Sequence, residues 1–374
     1  MAGSMSKSRS SVDSRHGQAI TDANRRPDWS FSSMRKSGLH PTLAEVARKA
    51  RVGTTTVSRV VNGGERVSPR TLKRVQAVIE QLGYMPNQAA RILKGERAKT
   101  IGLVIPSIAD SFFSSCAEAA QAIARANDSL LMVTVTNNDP HVEIENLNSL
   151  MRHRTDGLLL APANYQSDTL AEFLRRMGTP VVTFDRPVIN SGIPCVLTDN
   201  YRGARMATEH LIAHGYRRIL CLGGEPTLYT LRERLKGYRD AMEAKGLRLL
   251  VDMSVKDYKS AEYAIESSLA TSQPPDAMFT LKNSTTIYAF ETLQKLKVAI
   301  PKSVALLGYD DFELASTLRP SVSVIQQPIE DMGRIAAEML FENLLIRNRA
   351  PKKKQAEIKL KTKLVLRQSC GCKG

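Results

Sequence analysis

Thr42-Leu43-Ala44-Glu45-Val46-Ala47, Thr54-Thr55-Thr56-Val57-Ser58-Arg59-Val60-Val61-Asn62 and Val67-Ser68-Pro69-Arg70 follow one another in a single short stretch, and each marks a helix start. Thr42-x-x-Glu45 is a capping box, in which the two side chains satisfy each other's orphan backbone donors. Val46 and Ala50 then repeat at helical spacing, Arg51-Val52-Gly53 breaks the pattern, and Val57, Val60 and Val61 resume it. The spacing predicts helix, tight turn, helix. A third helix begins with Ser68 as cap and Pro69 at the first helical position, where its missing N–H costs nothing. Leu72, Val75, Ile79 and Leu82 give it one apolar face, and Gly83 ends it.

Such a unit could be no more than a helical packing module. The chemistry of its second helix argues for more. Thr54, Thr55, Thr56 and Ser58 put short hydroxyls at its N-terminal end, with Arg59 one turn on and Asn62 beyond. These residue types reach phosphates and base edges when a helix end enters the major groove. Thr42, Ser68 and Thr71, at the starts of the flanking helices, complete the candidate contacts in this unit.

Charge points to the same partner. The 374 residues hold 53 Lys and Arg against 37 Asp and Glu, a net +16. Residues 1–99 carry 19 basic and 7 acidic residues, residues 347–374 carry 10 and 1, and the body between comes out at −5. A basic module on an acidic body is drawn to phosphate while the body is kept off the duplex. The run Lys352-Lys353-Lys354 reads as a solvated loop.

The quoted blocks, with Tyr84-Met85-Pro86-Asn87, resemble the headpiece of the lactose repressor (LacI) family of bacterial transcription regulators. By that resemblance Asn87 to Gly95 is a hinge helix that pairs with its dimer mate in the minor groove at the operator centre. Asn87 and Ala90 would contact DNA there, and Leu93 would be the apolar wedge between base pairs. A helix of about two turns is marginal alone in water, so it is expected to order only on DNA. One departure is Arg51, which sits where the family usually has Gly; a left-handed non-Gly residue costs roughly 1–2 kcal/mol. Thr54 and Thr55 are small beside the lactose repressor's own reading pair.

From about residue 100 the pattern changes to apolar runs of strand length alternating with amphipathic stretches. Residues 100–105, 130–135, 156–160, 180–184, 218–222, 276–280 and 304–308 are seven such runs, and Tyr201–Ala213 is one of the helical stretches between them. Buried parallel strands read this way. The repeated β/α units imply doubly wound sheets, too many for one, hence two lobes and a cleft. Ligands bind beyond the carboxyl ends of such strands. The polar residues at those ends include Ser111, Phe112 nearby, Asp185, Arg186, Asp199, Lys282, Asn283 and Asp310.

Phe184-Asp185-Arg186, Thr198-Asp199-Asn200, Arg234-Leu235-Lys236-Gly237-Tyr238 and Leu307-Gly308-Tyr309-Asp310-Asp311 resemble the family's effector domain, itself similar to periplasmic sugar-binding proteins. The resemblance implies that Arg234 and Asp310 face a ligand, that Tyr258 stacks on it, and that Gln327 lies at the crossover between lobes. An Arg fork with an Asp can hold adjacent hydroxyls of a polyol, although Arg234 could instead bridge the lobes and Asp310 cap a helix. Lys282, where the family often has Asn, raises the alternative of a sugar acid or sugar phosphate.

The expected organisation is a disordered basic extension (1–38), an all-α helix-turn-helix headpiece (39–85), a hinge helix and linker (86–98), and an α/β effector and dimerisation region of two doubly wound lobes (99–374). The expected function is a cytoplasmic, nucleoid-associated homodimeric repressor that binds a palindromic operator on double-stranded DNA under control of a sugar-like effector. The alternative is a cytosolic sugar-binding protein whose DNA binding is secondary. No apolar run reaches a membrane span, and the first 40 residues lack a signal-peptide core. No phosphate loop, zinc-protease or nucleophile-elbow motif is found, so no catalysis or cofactor is expected. The five cysteines read as free thiols. Cys370-Gly371-Cys372 could oxidise or bind a soft metal. His210 and His214 lie four apart on one helix without a third ligand nearby in sequence, so no metal site is expected.

Overall fold

The computed structural model describes residues 41–63, 66–85, 97–346 and 357–372. The chain divides into two compact units, Met1–Gln88 and Ala89–Gly374.

The described part of the first unit holds α1 (Leu43–Ala50), α2 (Thr54–Val61) and α3 (Pro69–Leu82). The capping box forms as read: the Thr42 N–H donates to Glu45 Oε2 at 2.7 Å, and the Glu45 N–H to Thr42 Oγ1 at 3.3 Å. Ser68 caps α3 through the Thr71 N–H, and Gly83 closes it in a left-handed conformation. Val46, Ala50, Val57, Val60 and Val75 form the core, which Tyr84 completes from beyond α3. Arg51 is left-handed at φ 51° and ψ 50°, with Val52 N–H returning to Ala47 O, so the strain that the sequence implied is present in the turn.

The second unit contains two six-stranded sheets. The first is built from β1 (Thr100–Ile105), β2 (Leu130–Val135), β3 (Gly157–Leu160), β4 (Val181–Phe184), β5 (Cys195–Thr198) and the late strand β11 (Glu357–Leu360). Its order is β11-β5-β4-β3-β1-β2, parallel throughout. The helices α4 (Ser111–Ala126), α5 (Pro140–Arg152), α6 (Asp168–Met177) and the returning α11 (Ile329–Ile346) belong to this lobe. The second sheet comprises β6 (Ile219–Leu222), β7 (Leu250–Asp252), β8 (Ala277–Thr280), β9 (Ala305–Tyr309), β10 (Ser323–Gln326) and β12 (Lys363–Val365). Its order, β12-β10-β9-β8-β6-β7, repeats the first, and only the β10–β12 pair is antiparallel. Its helices are α7 (Asn200–Ala213), α8 (Tyr229–Glu243), α9 (Tyr258–Leu269) and α10 (Asn283–Lys295).

All seven strands read from the sequence are present, to within a residue at their ends. They are legible because central parallel strands are apolar on both faces: β3, β4, β6 and β8 are buried at every position. The chain crosses between lobes three times, at 198–200, 326–329 and 360–363. Close helix packing tightens the first lobe, since a Cβ at Gly333 on α11 would lie 2.4 Å from the Cys116 carbonyl oxygen on α4.

Replacing Arg51 by Gly should relieve the left-handed turn. We expect Arg51→Gly to stabilise the headpiece by about 1 kcal/mol, read as slower amide hydrogen exchange across residues 43–82.

Candidate effector cleft and nucleic-acid interface

Two strands at matching places in the two sheets end in the same way. β4 runs into Asp185 (φ 63°) and β9 into Asp310 (φ 71°), both left-handed, a conformation Asp tolerates better than most residues. Each aspartate meets an arginine. Asp310 Oδ2 accepts from Arg234 Nη1 at 3.1 Å, and Asp185 Oδ2 from Arg186 Nε at 3.1 Å. All four are at least nine-tenths buried.

Both guanidinium groups are held rigidly. Arg234 donates from Nε to Asn200 Oδ1 (2.8 Å) and from Nη1 to the Leu281 carbonyl (2.7 Å), and lies over the Tyr309 ring at 3.7 Å. Arg186 donates from Nη1 to Asn138 Oδ1 (2.6 Å) and the Pro162 carbonyl (3.1 Å). Among the described residues neither Nη2 has a hydrogen-bond partner, so each fork keeps donors for a ligand. Burial pushes the Asp185 carboxyl above its ordinary range against the pull of Arg186 and Arg234. Burial works against the charge on Arg234 too, but Asp310, Tyr309 and Asp185 outweigh it and hold the guanidinium charged.

These residues line a cleft of about 270 Å³ between the lobes, with Asp110, Phe112, Phe113, Asn138, Thr230, Lys282 and Gln327. Phe112 and Phe113 pack edge to face at 4.9 Å and supply its aromatic wall. Lys282 Nζ reaches Asp110 Oδ2 at 3.3 Å, an ion pair from one lobe to the other. Arg232 bonds the Tyr165 hydroxyl and packs on its ring, a second tie across the lobes. A third runs through the crossovers, where Thr198 Oγ1 donates to Gln327 Oε1 at 2.5 Å and Gln327 Nε2 donates to Asp310.

Of the expected effector residues, Phe112, Asp185, Arg186, Arg234, Lys282, Asp310 and Gln327 come together in this cleft. Ser111 faces a neighbouring hollow instead. Asp199 caps α7 through the Arg202 N–H, and it is the next residue, Asn200, that meets Arg234. Asn283 bonds the adjacent Ser284 N–H. Tyr258 does not reach the cleft lining: it begins α9, packs edge to face on Tyr288 and bonds Glu262, and the aromatic side chains that line the cleft are Phe112 and Phe113. Asp310 caps no helix, being committed to Arg234 and Gln327.

Sequence reading missed Asp110, Phe113 and Asn138, while Asn200 is a strand-end candidate beside Asp199. Asn138 lies just past the carboxyl end of β2 and was open to the same strand-end rule. It also missed Glu143, buried on α5 and accepting from the Ala163 N–H at 2.6 Å. Burial raises its carboxyl to about 7, opposed by that hydrogen bond and by Arg186.

In the first unit Thr42, Thr54, Thr55, Arg59, Asn62 and Ser68 are exposed, and Thr56, Ser58 and Thr71 are half-buried. Gly53 caps α2 without a side chain, so its first-turn N–H groups are met by no side-chain cap. Asn87, Ala90 and Leu93 lie outside the described residues.

Residues 42–87 match the family model "Bacterial regulatory proteins, lacI family", and residues 98–366 match "Periplasmic binding proteins and sugar binding domain of LacI family". The chain belongs to the LacI family. The "Ribose operon repressor" of Haemophilus influenzae is 30% identical over 331 residues, covering 88% of this chain and 98% of that protein. A solved "transcriptional regulator CelR-cellobiose complex" is 29% identical, with a TM-score of 0.65 over 88% of this chain and 99% of that one. The lac repressor dimer bound to operator and the anti-inducer ONPF shares the fold at a TM-score of 0.78 and 24% identity, over the same shares of the two chains. A helix-turn-helix headpiece followed in the chain by two lobes with parallel-rich sheets is thus this LacI-family regulator's architecture. No helix among the described residues is long and apolar enough to cross a membrane.

Glu143 gives this unit a pH signature. Its folded carboxyl keeps a proton up to about pH 7, while the unfolded group releases it near the ordinary 4.5, so native stability falls as pH rises through that window. Glu143→Gln keeps an acceptor for Ala163. Between pH 4 and 8 it should remove a loss on the order of 2–3 kcal/mol, read from urea unfolding midpoints.

Proposed function

We propose that this LacI-family protein is a dimeric transcriptional repressor whose two headpieces grip a two-fold operator, and whose grip is set by a neutral polyol bound between the lobes. It acts by binding and carries no catalytic step, and its place is the cytoplasm, on the nucleoid. The observation that carries the ligand class is the charge balance of the cleft. Arg186, Arg234 and Lys282 face Asp110, Asp185 and Asp310, and the Lys282 charge is already answered by Asp110. A site with matched charges, spare guanidinium donors and a phenylalanine wall suits hydroxyls on a ring with apolar faces, and favours a sugar over a sugar acid or phosphate. The names of the relatives agree in class, one a ribose operon repressor and one solved with cellobiose.

Within the cleft, we assign Arg186 and Arg234 as hydroxyl donors through Nη2, Asp185 and Asp310 as acceptors, and Phe112 as the apolar cover. Asp199, Asn283, Ser111 and Tyr258 are not assigned ligand contacts. In the headpiece Thr54, Thr55 and the α2 N-terminus meet base edges and phosphates, Arg59 and Asn62 lie one and two turns on, and Thr42, Ser68 and Thr71 bond the backbone. Residues 86–98 form the hinge segment between the headpiece at 39–85 and the lobes, with Asn87, Ala90 and Leu93 facing the minor groove. A ligand that prefers one lobe arrangement biases that segment and thereby the paired headpieces.

Gel-shift titration on operator DNA, with and without a panel of neutral sugars, tests the reading. One sugar should change operator affinity at least about tenfold, equal to about 1.4 kcal/mol of coupling. Arg234→Ala should abolish that response and leave sugar-free DNA affinity within about twofold. Arg59→Ala should weaken operator binding, and Leu93→Ala should lose specific affinity while sparing nonspecific binding. Response to sugar phosphates alone would shift the ligand class, and no response to any ligand would remove the switch.

A further inference from the structure

The carboxyl-terminal Cys370-Gly371-Cys372 returns to the second lobe and meets the end of α7. His210 Nε2 lies 3.4 Å from Cys370 Sγ and 3.6 Å from Cys372 Sγ, and His214 Nε2 lies 3.3 Å from Cys372 Sγ. The ligand atoms of His210, His214 and Cys372 all fall within 4.8 Å of one another. The two imidazoles are a helical turn apart, with ring centroids 4.6 Å apart, and Tyr216 stacks beneath His214. We propose that His210, His214 and Cys372 form the assembled three-donor face of a site for a tetrahedral thiophilic cation of the Zn2+ type, that Cys370, already against His210, closes in as the fourth donor, and that the cation clamps the chain's tail to α7.

Geometry supports the assignment. In a tetrahedral site with Zn–S near 2.3 Å and Zn–N near 2.05 Å, nitrogen and sulfur are separated by about 3.5 Å. The three measured N···S separations bracket that value. Mixed sulfur and imidazole donors in four-fold array are the set that zinc selects over harder cations. The connecting residue is fitted to this task as well. Gly371 has φ 94°, a backbone that L side chains rarely adopt, and a Cβ there would lie 3.0 Å from the Tyr216 hydroxyl. Only glycine lets two cysteines one residue apart turn both sulfurs toward the same helix.

The surroundings supply what a structural metal site needs beyond its ligands. Ser323 Oγ accepts from the Arg367 N–H at 2.8 Å, which directs its own hydrogen to Cys370 Sγ at 3.1 Å. Ligand sulfurs are commonly oriented by such outer hydrogen bonds. Cys370 is fully buried, Cys372 half-buried and His214 exposed, so the cluster is walled on one side and open to solvent on the other. The clamped tail also carries Arg367, whose guanidinium grips Asp311 at 3.0 and 2.7 Å, beside the cleft residue Asp310. Cation binding therefore fixes the segment that braces one wall of the effector cleft.

The full chain, reduced and freed of metal by chelator, is titrated with Co2+ and then Zn2+. One Co2+ per chain should bind with the visible bands of a tetrahedral site and a thiolate charge-transfer band, and one Zn2+ should displace it and raise the thermal midpoint. His214→Ala and Cys372→Ser, both at accessible positions, should retain native circular dichroism and weaken binding by about 100-fold or more. His153→Ala, an exposed histidine elsewhere, should change nothing. A reduced chain that binds no cobalt overturns the proposal, as does binding that both variants leave intact. A Cys370–Cys372 disulfide in protein alkylated directly in cells also overturns it.

Discussion

A guanidinium taken out of water costs several kcal/mol unless its surroundings replace the lost hydration. Arg234 meets that demand with groups from three separate segments: Asn200 at the start of α7, the Leu281 carbonyl after β8, and, at the end of β9, the Tyr309 ring beneath it and Asp310. The compensation cannot be local, so the second lobe must be assembled for the charge to be tolerated. Asp310 then passes the network to Gln327, and Gln327 to Thr198, which lie at two of the three crossings between lobes. The buried arginine of the cleft and the crossings that join the lobes are one hydrogen-bonded system.

That arrangement has a counterpart in the other lobe. Asp185 and Arg186 repeat the aspartate–arginine pair at the matching strand, with Asn138 and the Pro162 carbonyl as supports. The two halves differ in how closely the pair is spaced in sequence: adjacent in the first lobe, and 76 residues apart in the second. Either way the cleft presents a donor fork beside an acceptor from each side. A ligand that engages both forks ties one lobe to the other in addition to the Lys282–Asp110 and Arg232–Tyr165 contacts already there.

The parts of this design governed by local rules could be read from the chain. Helix caps at Thr42, Ser68 and Gly83 act over three or four residues, and β1, β3, β4, β6, β8 and β9 announce themselves as apolar runs buried on both faces, with β2 at the edge legible from its apolar composition alone. β7, β11 and β12 are short, edge-lying and only partly buried, and β10 places just Val324 and Ile325 between Ser323 and Gln326, so none stands out as an apolar run; β5 is as short and as buried as β4 and was open to the same reading. At the cleft, strand-end logic located Asp185, Arg186, Lys282 and Asp310, because topology alone carries those positions to one place. It could not distinguish Asp199 from Asn200, which depends on a cap rotating one side chain away. Tyr258 was placed by resemblance, and the packing against Tyr288 took it elsewhere. The cluster at His210, His214, Cys370 and Cys372 shows locally only as two pairs, His210 with His214 and Cys370 with Cys372, and their meeting joins positions up to 162 residues apart, which no local rule foretells.

The three crossings have a mechanical meaning. A single strand joining two bodies permits twist and bend in every direction, whereas three strands side by side behave like a flexible strap, compliant about one line and stiff to torsion and to stretching. Molecules captured in the opening of such a device are converted into a single angle. What leaves the lobes is then close to a one-dimensional signal, whichever part of the captured molecule made the contact.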